Sequence, residues 1–347
     1  MKTRYLSFTI GILLLIAMGA CKKENTESVA VKSTNEKILK FKSLEEFDKS
    51  ISTVLRMTPE NRKIWASEKG FESFGVKCDE VYSNSHPENF TTIEQFKKLV
   101  ENNSAFLLLE KQENGEFSLE TVISKSPFRY FANLEKMYQI DDLIYKVLEK
   151  GTISTTSKNI DKLKLINDQN YVLEYEKDPD LVFSTNRITG HELSTQTKST
   201  ASIWACGKEA DDYESSGNDR THMWIDAWAS NYTNAQGLTC SMNQLHYQVV
   251  PYKRIGFVWS RVTRTISLNI SASVGHSYWL IENYTYAYQY DTFNASRNNW
   301  STNNAEDVLS GSGVVGGWMG GLDCAGFQWF HCWGDTPSSP TVNLNCN

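Results

Sequence analysis

Between residues 37 and 150 the spacing of apolar positions changes period several times, and each change predicts an element. Ile38 to Phe41 is a short apolar run suited to a strand, after which Leu44, Phe47, Ile51, Val54 and Leu55 recur at helical spacing. Ser43 stands just before that helix with Glu46 three residues on, the form of a capping box that satisfies the first free amides. Thr58-Pro59 opens a second helix, because proline is pre-set for the first helical position, and Gly70 closes it. A third helix is predicted from about Thr92 to Glu101.

The period then falls to two. Ala105 to Leu109 and Phe117 to Ile123 flank Asn114-Gly115, a pair that favours the left-handed turn of a hairpin. Phe131 to Lys146 also alternates and predicts a second hairpin, with a helix as the alternative. Residues 151–202 read as a connector. Within it, Tyr171 to Phe183 suits a strand pair around the turn residues Asp178-Pro179-Asp180, and Thr185 to Ser202 is a polar linker. From Ile203 onward the chain is β-like. Met223 to Trp228, Leu245 to Val250, Ile255 to Trp259, Val262 to Ile270 and Tyr278 to Tyr290 are rich in branched and aromatic residues. The expected class is α+β: a small mixed helix/hairpin module over 37–150, and an all-β domain over 203–347 built as an antiparallel sandwich or barrel.

The N-terminus has the zones of an export signal. Lys2 and Arg4 are followed by an apolar stretch from Leu6 to Ala17, 12 residues long and shorter than the roughly 20 a spanning helix needs. It ends in Met18-Gly19-Ala20-Cys21, which resembles a lipobox. That resemblance implies removal of residues 1–20, lipid on Cys21 and attachment to a membrane through that lipid. Cleavage as an ordinary secreted protein is the alternative. Residues 21–36 read as a polar tether. Their Lys22-Lys23-Glu24 start is similar to the export tag of surface lipoproteins, so a surface-exposed outer-membrane position is expected, with a periplasm-facing anchor as the other possibility.

The capped first helix, the Trp65-bearing second helix, and the run Asn133-Leu134 to Tyr138-Gln139-Ile140-Asp141-Asp142-Leu143-Ile144-Tyr145-Lys146 together resemble the N-terminal module of uncharacterised exported lipoproteins of Bacteroidota. These motifs are structural, so the resemblance implies a shared module and carries no functional residue. Asp141 stands where those proteins carry glycine.

Charge and cysteines narrow the function. The net charge is −6, and residues 201–347 hold seven Lys and Arg against twelve acids, which argues against a nucleic-acid partner. Besides Cys21 there are Cys78, Cys206, Cys240, Cys324, Cys332 and Cys346. In an exported chain the last five are disulfide candidates, with Cys206–Cys240 and one bridge among the final three as the suggested pairing, leaving Cys78 free or reaching across.

Motifs for chemistry are sparse. Gly311-Ser312-Gly313-Val314-Val315-Gly316 matches a dinucleotide fingerprint in letters only, because no helix can open at the glycines that follow; a turn or bulged strand is expected, and no nucleotide or other cofactor. Asp211, Asp212, Glu214 and Asp219 form a weak calcium candidate, since an EF-hand register from Asp212 ends on Met223 where a bidentate Glu is needed. His331 with Cys324, Cys332 and Cys346 lacks zinc spacing, so no metal site is expected. Asp226 and Glu282 are the acids on strands that would serve a glycan hydrolase, although alternation equally puts them on a solvent face. Nine of the ten tryptophans follow residue 203, and Trp318, Trp329, Phe330 and Trp333 form the candidate binding surface. The reading that results is a non-enzymatic binding or adhesion protein for glycan or protein. A secreted hydrolase and a structural subunit of an envelope complex are the alternatives.

Overall fold

The structure, a computed structural model, describes residues 37–112, 114–185, 204–213, 217–233, 239–280, 285–311, 314–315, 319–323, 329–334 and 341–342. The signal segment, Cys21 and the tether lie outside these. Residues from Glu36 to Asn347 form one compact unit, so the boundaries anticipated at 150 and 203 fall inside a continuous body.

The first part follows its sequence pattern closely. Strand β1 (Leu39–Phe41) leads into helix α1 (Leu44–Leu55), where Ser43 Oγ accepts from the Glu46 amide at 3.2 Å and Glu46 reaches back to the Lys42 amide at 2.7 Å. Phe47, Ile51, Val54 and Leu55 are buried on one face of α1. Helix α2 (Pro59–Lys69) starts at the Thr58 cap and stops at Gly70. Helix α3 (Phe74–Asn84), capped by Ser73, has weaker apolar periodicity and was not expected; α4 (Ile93–Asn102) was. The Asn-Gly hairpin joins β2 (Leu107–Lys111) to β3 (Phe117–Thr121). The second expected hairpin is β4 (Met137–Ile140) with β5 (Leu143–Val147), and Asp141 in its turn has φ 54°, the left-handed conformation that suits glycine.

The connector is a correction. Residues 151–185 continue the fold as β6 (Gly151–Thr156), α5 (Ile160–Lys164), α6 (Tyr171–Lys177) and β7 (Val182–Thr185). The Tyr171 segment is thus a helix followed by a strand rather than a strand pair. Tyr171 and Tyr175, one helical turn apart, pack at a tilt against Phe183, a tertiary contact that outweighs their β propensity. Strands β1, β4, β5, β6 and β7 form the first sheet in that order, with β1 parallel to β4 and the rest antiparallel.

The second half supplies β8 (Trp204–Tyr213), β9 (Asp219–Thr233), β10 (Thr239–Ile255), β11 (Val258–Arg261), β12 (Arg264–Leu280) and β13 (Thr285–Thr302). It ends with β14 (Ala305–Ser310), β15 (Val314–Val315), β16 (Met319–Asp323), β17 (Trp329–Gly334) and β18 (Thr341–Val342). The second sheet runs β2-β3-β11-β10-β9-β8, with β14 and β15 also on β10; the third runs β13-β12-β17-β18, with β16 also on β12. Among the described residues neither sheet closes on itself, so the arrangement is a sandwich and the barrel alternative falls away. The glycine-rich stretch carries β15 and β16, with a register shift opposite Ser277–Tyr278, as a bulged strand should.

Alternation sorts β9 and β10 into two faces. Met223, Ile225, Ala227, Leu245, Tyr247 and Val249 pack against Ile266, Leu268, Ile270, Ala272 and Val274 of β12 to make the sandwich core. The intervening residues face the helical part instead, where Trp228 and Val308 join a core with Phe47, Ile51 and Phe131. The hairpin β2–β3 extends the second sheet through a parallel pairing of β3 with β11, and Arg261 bonds Glu120 across that seam at 2.6 Å. The helical part and the β part therefore share a sheet, which is why they do not separate into two bodies.

Candidate functional site

The covered face of the second sheet is polar, and its polar groups are arranged in a chain. Asp226 and His246 stand directly opposite each other on β9 and β10, and His246 Nδ1 lies 3.1 Å from Asp226. His246 Nε2 lies 3.1 Å from Glu306 of β14. Glu306 accepts both terminal nitrogens of Arg129, at 2.6 and 3.0 Å, and the Asn304 amide at 3.1 Å. The Arg129 guanidinium lies 4.3 Å from the Tyr130 ring centre, and the Tyr130 hydroxyl donates to Asp79 at 2.9 Å while accepting from Arg62 at 2.8 Å. His246, Glu306, Arg129 and Tyr130 are fully buried, and Asp226 nearly so.

Burial opposes charge on every member, and the partners decide the outcome. For His246 burial would lower the imidazolium pKa, but Asp226 and Glu306 on either side raise it to about 9. For Glu306 burial would raise the carboxyl, yet Arg129 and His246 hold it well below the ordinary range. Burial pushes the Tyr130 phenol up to about 12. With His246 protonated, Arg129 and His246 balance Glu306 and Asp226. Because carboxylates occupy both imidazole nitrogens, His246 has no free nitrogen with which to accept a substrate proton.

This places one candidate acid and corrects its reading. Asp226 does not reach solvent by alternation: the helical part covers that face, and Trp224 and His246 engage the carboxylate. Glu282 lies outside the described residues.

A groove of about 510 Å³ opens beside the buried chain, between α1 and strands β10, β13 and β14. Met242, Phe293, Val308 and Leu309 give it apolar walls. Asp48 of α1 lines it, 7% exposed, with Oδ1 accepting the Gln244 amide at 3.1 Å and Oδ2 without a hydrogen-bond partner. Burial raises the Asp48 carboxyl to about 7, against a smaller lowering by the Gln244 hydrogen bond. Sequence reasoning missed Asp48, although a signal was present. It falls four residues after Leu44 and three before Ile51, on the stripe that should be apolar.

The outer face of the third sheet has a different character. Tyr288 and Tyr290 of β13 are 61% and 46% exposed, with ring centres 6.4 Å apart and planes 14° from parallel. On β12, Ser277 and Gly275 stand opposite them, then Ser273 opposite Thr292 and Ser271 opposite Asn294, so these β12–β13 positions carry no charged residue, while Asp323 of β16 stands opposite Gly275 on the other side. A Cβ at Gly275 would run into the Tyr290 ring, so glycine there lets the ring lie down on its neighbour strand.

The predicted binding surface is divided by register. Trp329 and Trp333 of β17 stand opposite Ser271 and Ser267, whereas Phe330 stands opposite Ile270, a residue of the sandwich core. Trp318 lies outside the described residues, as do the side chains of the other three. Among the cysteines, Cys78 is free and buried, and burial pushes its thiol up to about 12. Cys206 is opposite Ala227 and Cys240 opposite Tyr232 on the intervening β9. The suggested pair is therefore two strands apart and offset along β9 from Ala227 to Tyr232, beyond the Cα separation of about 7 Å a disulfide spans. Cys324 and Cys346 lie outside the described residues, as does the side chain of Cys332.

The acidic run is also placed. Asp211 on β8 meets His222 at 3.0 Å and Arg220 at 3.5 Å on the neighbouring β9, and Asp219 meets Arg264 of β12 in the third sheet at 2.7 Å, so each acid is engaged by basic residues of other strands and the two do not converge on a loop. Glu214 and the Asp212 side chain lie outside the described residues. Among the described residues, no group of His, Cys, Asp and Glu is set to hold a metal, and no helix is long and apolar enough to cross a membrane.

No protein-family model matches the chain, and no curated protein matches it. Among solved structures it is similar to the crystal structure of a DUF4848 family protein from Bacteroides thetaiotaomicron, at 12% identity and a TM-score of 0.27. That match covers 90% of this chain and 98% of the other.

Proposed function

We propose that this chain is an exported binding protein, held on the outer-membrane surface by lipid on Cys21, that takes a neutral glycan on the outer face of its third sheet. The observation that carries the reading is the exposed, near-parallel pair Tyr288 and Tyr290 beside Ser271, Ser273, Thr292 and Asn294. Aromatic faces accept the C–H faces of sugar rings, and the hydroxyl and amide side chains alongside suit sugar hydroxyls. The β12–β13 rows beside the tyrosines carry no charge, and the acid nearest in register, Asp323 of β16 opposite Gly275, disfavours a polyanion, so a neutral ligand suits the face better. The buried Asp226–His246–Glu306 chain has no free nitrogen for acid–base work, which favours binding over hydrolysis.

The test is a glycan array probed with the compact unit Glu36–Asn347, followed by calorimetry on any hit. Tyr288→Ala and Tyr290→Ala should each weaken binding about fivefold or more, the loss expected of an interface hot spot worth over about 1 kcal/mol. A blank array, or hits that both variants bind unchanged, would overturn the reading. Anchoring is tested separately: labelled palmitate should enter the full chain and fail to enter Cys21→Ser.

A further inference from the structure

We propose that the groove between α1 and strands β13 and β14 is a second binding site, which takes a primary ammonium group carried on an apolar stem, and that Asp48 is its anchor. The site does not depend on the glycan reading: its anchor and apolar walls are other residues on the side facing α1, and only Thr292 and Asn294 border both.

The charges lining the groove are unequal in their commitments. Lys49 is paired with Glu45 at 2.6 Å, and Arg56 with Asp307 at 2.7 Å. Asp307 is further held by Ser52 and Arg297. Among the described residues Asp48 alone of the lining acids and bases has no ion partner. Its Oδ2 lacks a donor, and a buried carboxylate oxygen left unbonded costs more than an exposed one. The missing partner is thus a hydrogen-bond donor, and a cation is the donor that best offsets burial of the charge. The walls of Met242, Phe293, Val308 and Leu309 would cover a short alkyl stem. A volume of about 510 Å³ is within the range of small-ligand pockets.

The other titratable groups near Asp48 do not compete for the role. Glu45 and Lys49 on its own helix neutralise each other. Tyr138 of β4 stays neutral, because burial first, then Tyr145 and Asp48, raise its phenol well above the ordinary value. Gln244 and Ser310 on β10 and β14 are uncharged, and they bond to each other at 3.3 Å.

The experiment compares n-hexylamine, n-hexanol and hexanoate by calorimetry on the full chain. Hexylamine should bind at least tenfold tighter than hexanol, and hexanoate should not bind. With Asp48 titrating near 7, the ionised fraction grows about tenfold between pH 6 and pH 8, so hexylamine should tighten about tenfold over that range while hexanol stays constant. Asp48→Asn should reduce hexylamine to the level of hexanol and abolish the pH dependence. Equal binding of amine and alcohol would overturn the proposal, as would no binding at all or an amine affinity unchanged in Asp48→Asn. The pH comparison uses the unaltered chain and keeps the test decisive if the variant misfolds.

Discussion

Replacing Arg129 with methionine tests whether the buried chain of charges holds the helical part on the sheet. Arg129 makes two bonds to Glu306 and one to the Ser126 carbonyl at 2.6 Å, all shielded from water. Without it Glu306 keeps His246 and Asn304 but loses its strongest counter-charge, so the buried set carries one excess negative charge. Removing one partner of a buried ion pair costs about 3–5 kcal/mol, a large part of the roughly 5–15 kcal/mol that stabilises a folded domain. Urea unfolding followed by tryptophan fluorescence reads this directly, because Trp224, Trp228 and Trp259 are buried. The sign with pH follows from Glu306. Its folded carboxyl is depressed, so it contributes stability above the ordinary glutamate range, and this is lost as pH falls toward the lowered value. The variant has less of that contribution to lose, so its deficit should shrink between pH 7 and pH 4. The double variant Arg129→Met with Glu306→Met should recover much of the loss. A deficit below about 1 kcal/mol, or one that is flat with pH, would refute the reasoning.

Other outcomes follow from the same groups. His246 has a raised folded pKa, so its contribution is fully present below about 6.5 and is lost as pH rises through about 9. The parent chain should lose up to about 3 kcal/mol over that window, and His246→Gln should flatten the curve in a pH series of urea melts. Asp48 is the reverse of a paired acid: burial raises its carboxyl to about 7, which costs stability as pH climbs from about 4 to 7. Asp48→Asn should therefore stabilise by about 1–3 kcal/mol at pH 8, net of one unpaired amide, with the gain vanishing near pH 4; no gain at pH 8 in urea melts would count against it. A Cβ at Gly75 would lie 2.6 Å from the Tyr130 ring and 2.9 Å from Arg129 Cγ, so Gly75→Ala should cost about 1–3 kcal/mol by thermal melt, and an unchanged Tm would mean that α3 can shift away.

The local elements were largely legible in sequence, because their signals are local physics. Ser43 with Glu46, Thr58-Pro59 with Gly70, and Asn114-Gly115 each satisfy or shape the backbone within a few residues, and each marks an element in the structure. Alternation in β9 and β10 likewise determined which residues share a face. Tertiary structure alone decided what lies against that face. The Asp226 and His246 positions have the pattern of a solvated surface, yet α1 and the segment from Lys125 to Arg129 cover that face, because the β2–β3 hairpin pairs with β11 and draws the helical part across the sheet. Arg129 and Glu306 are 177 residues apart, and no local rule brings them together. The same holds for Asp48. The sequence determined that an acid sits on an apolar stripe; only the packing of α1 beside β10, β13 and β14 determined that it lines a groove.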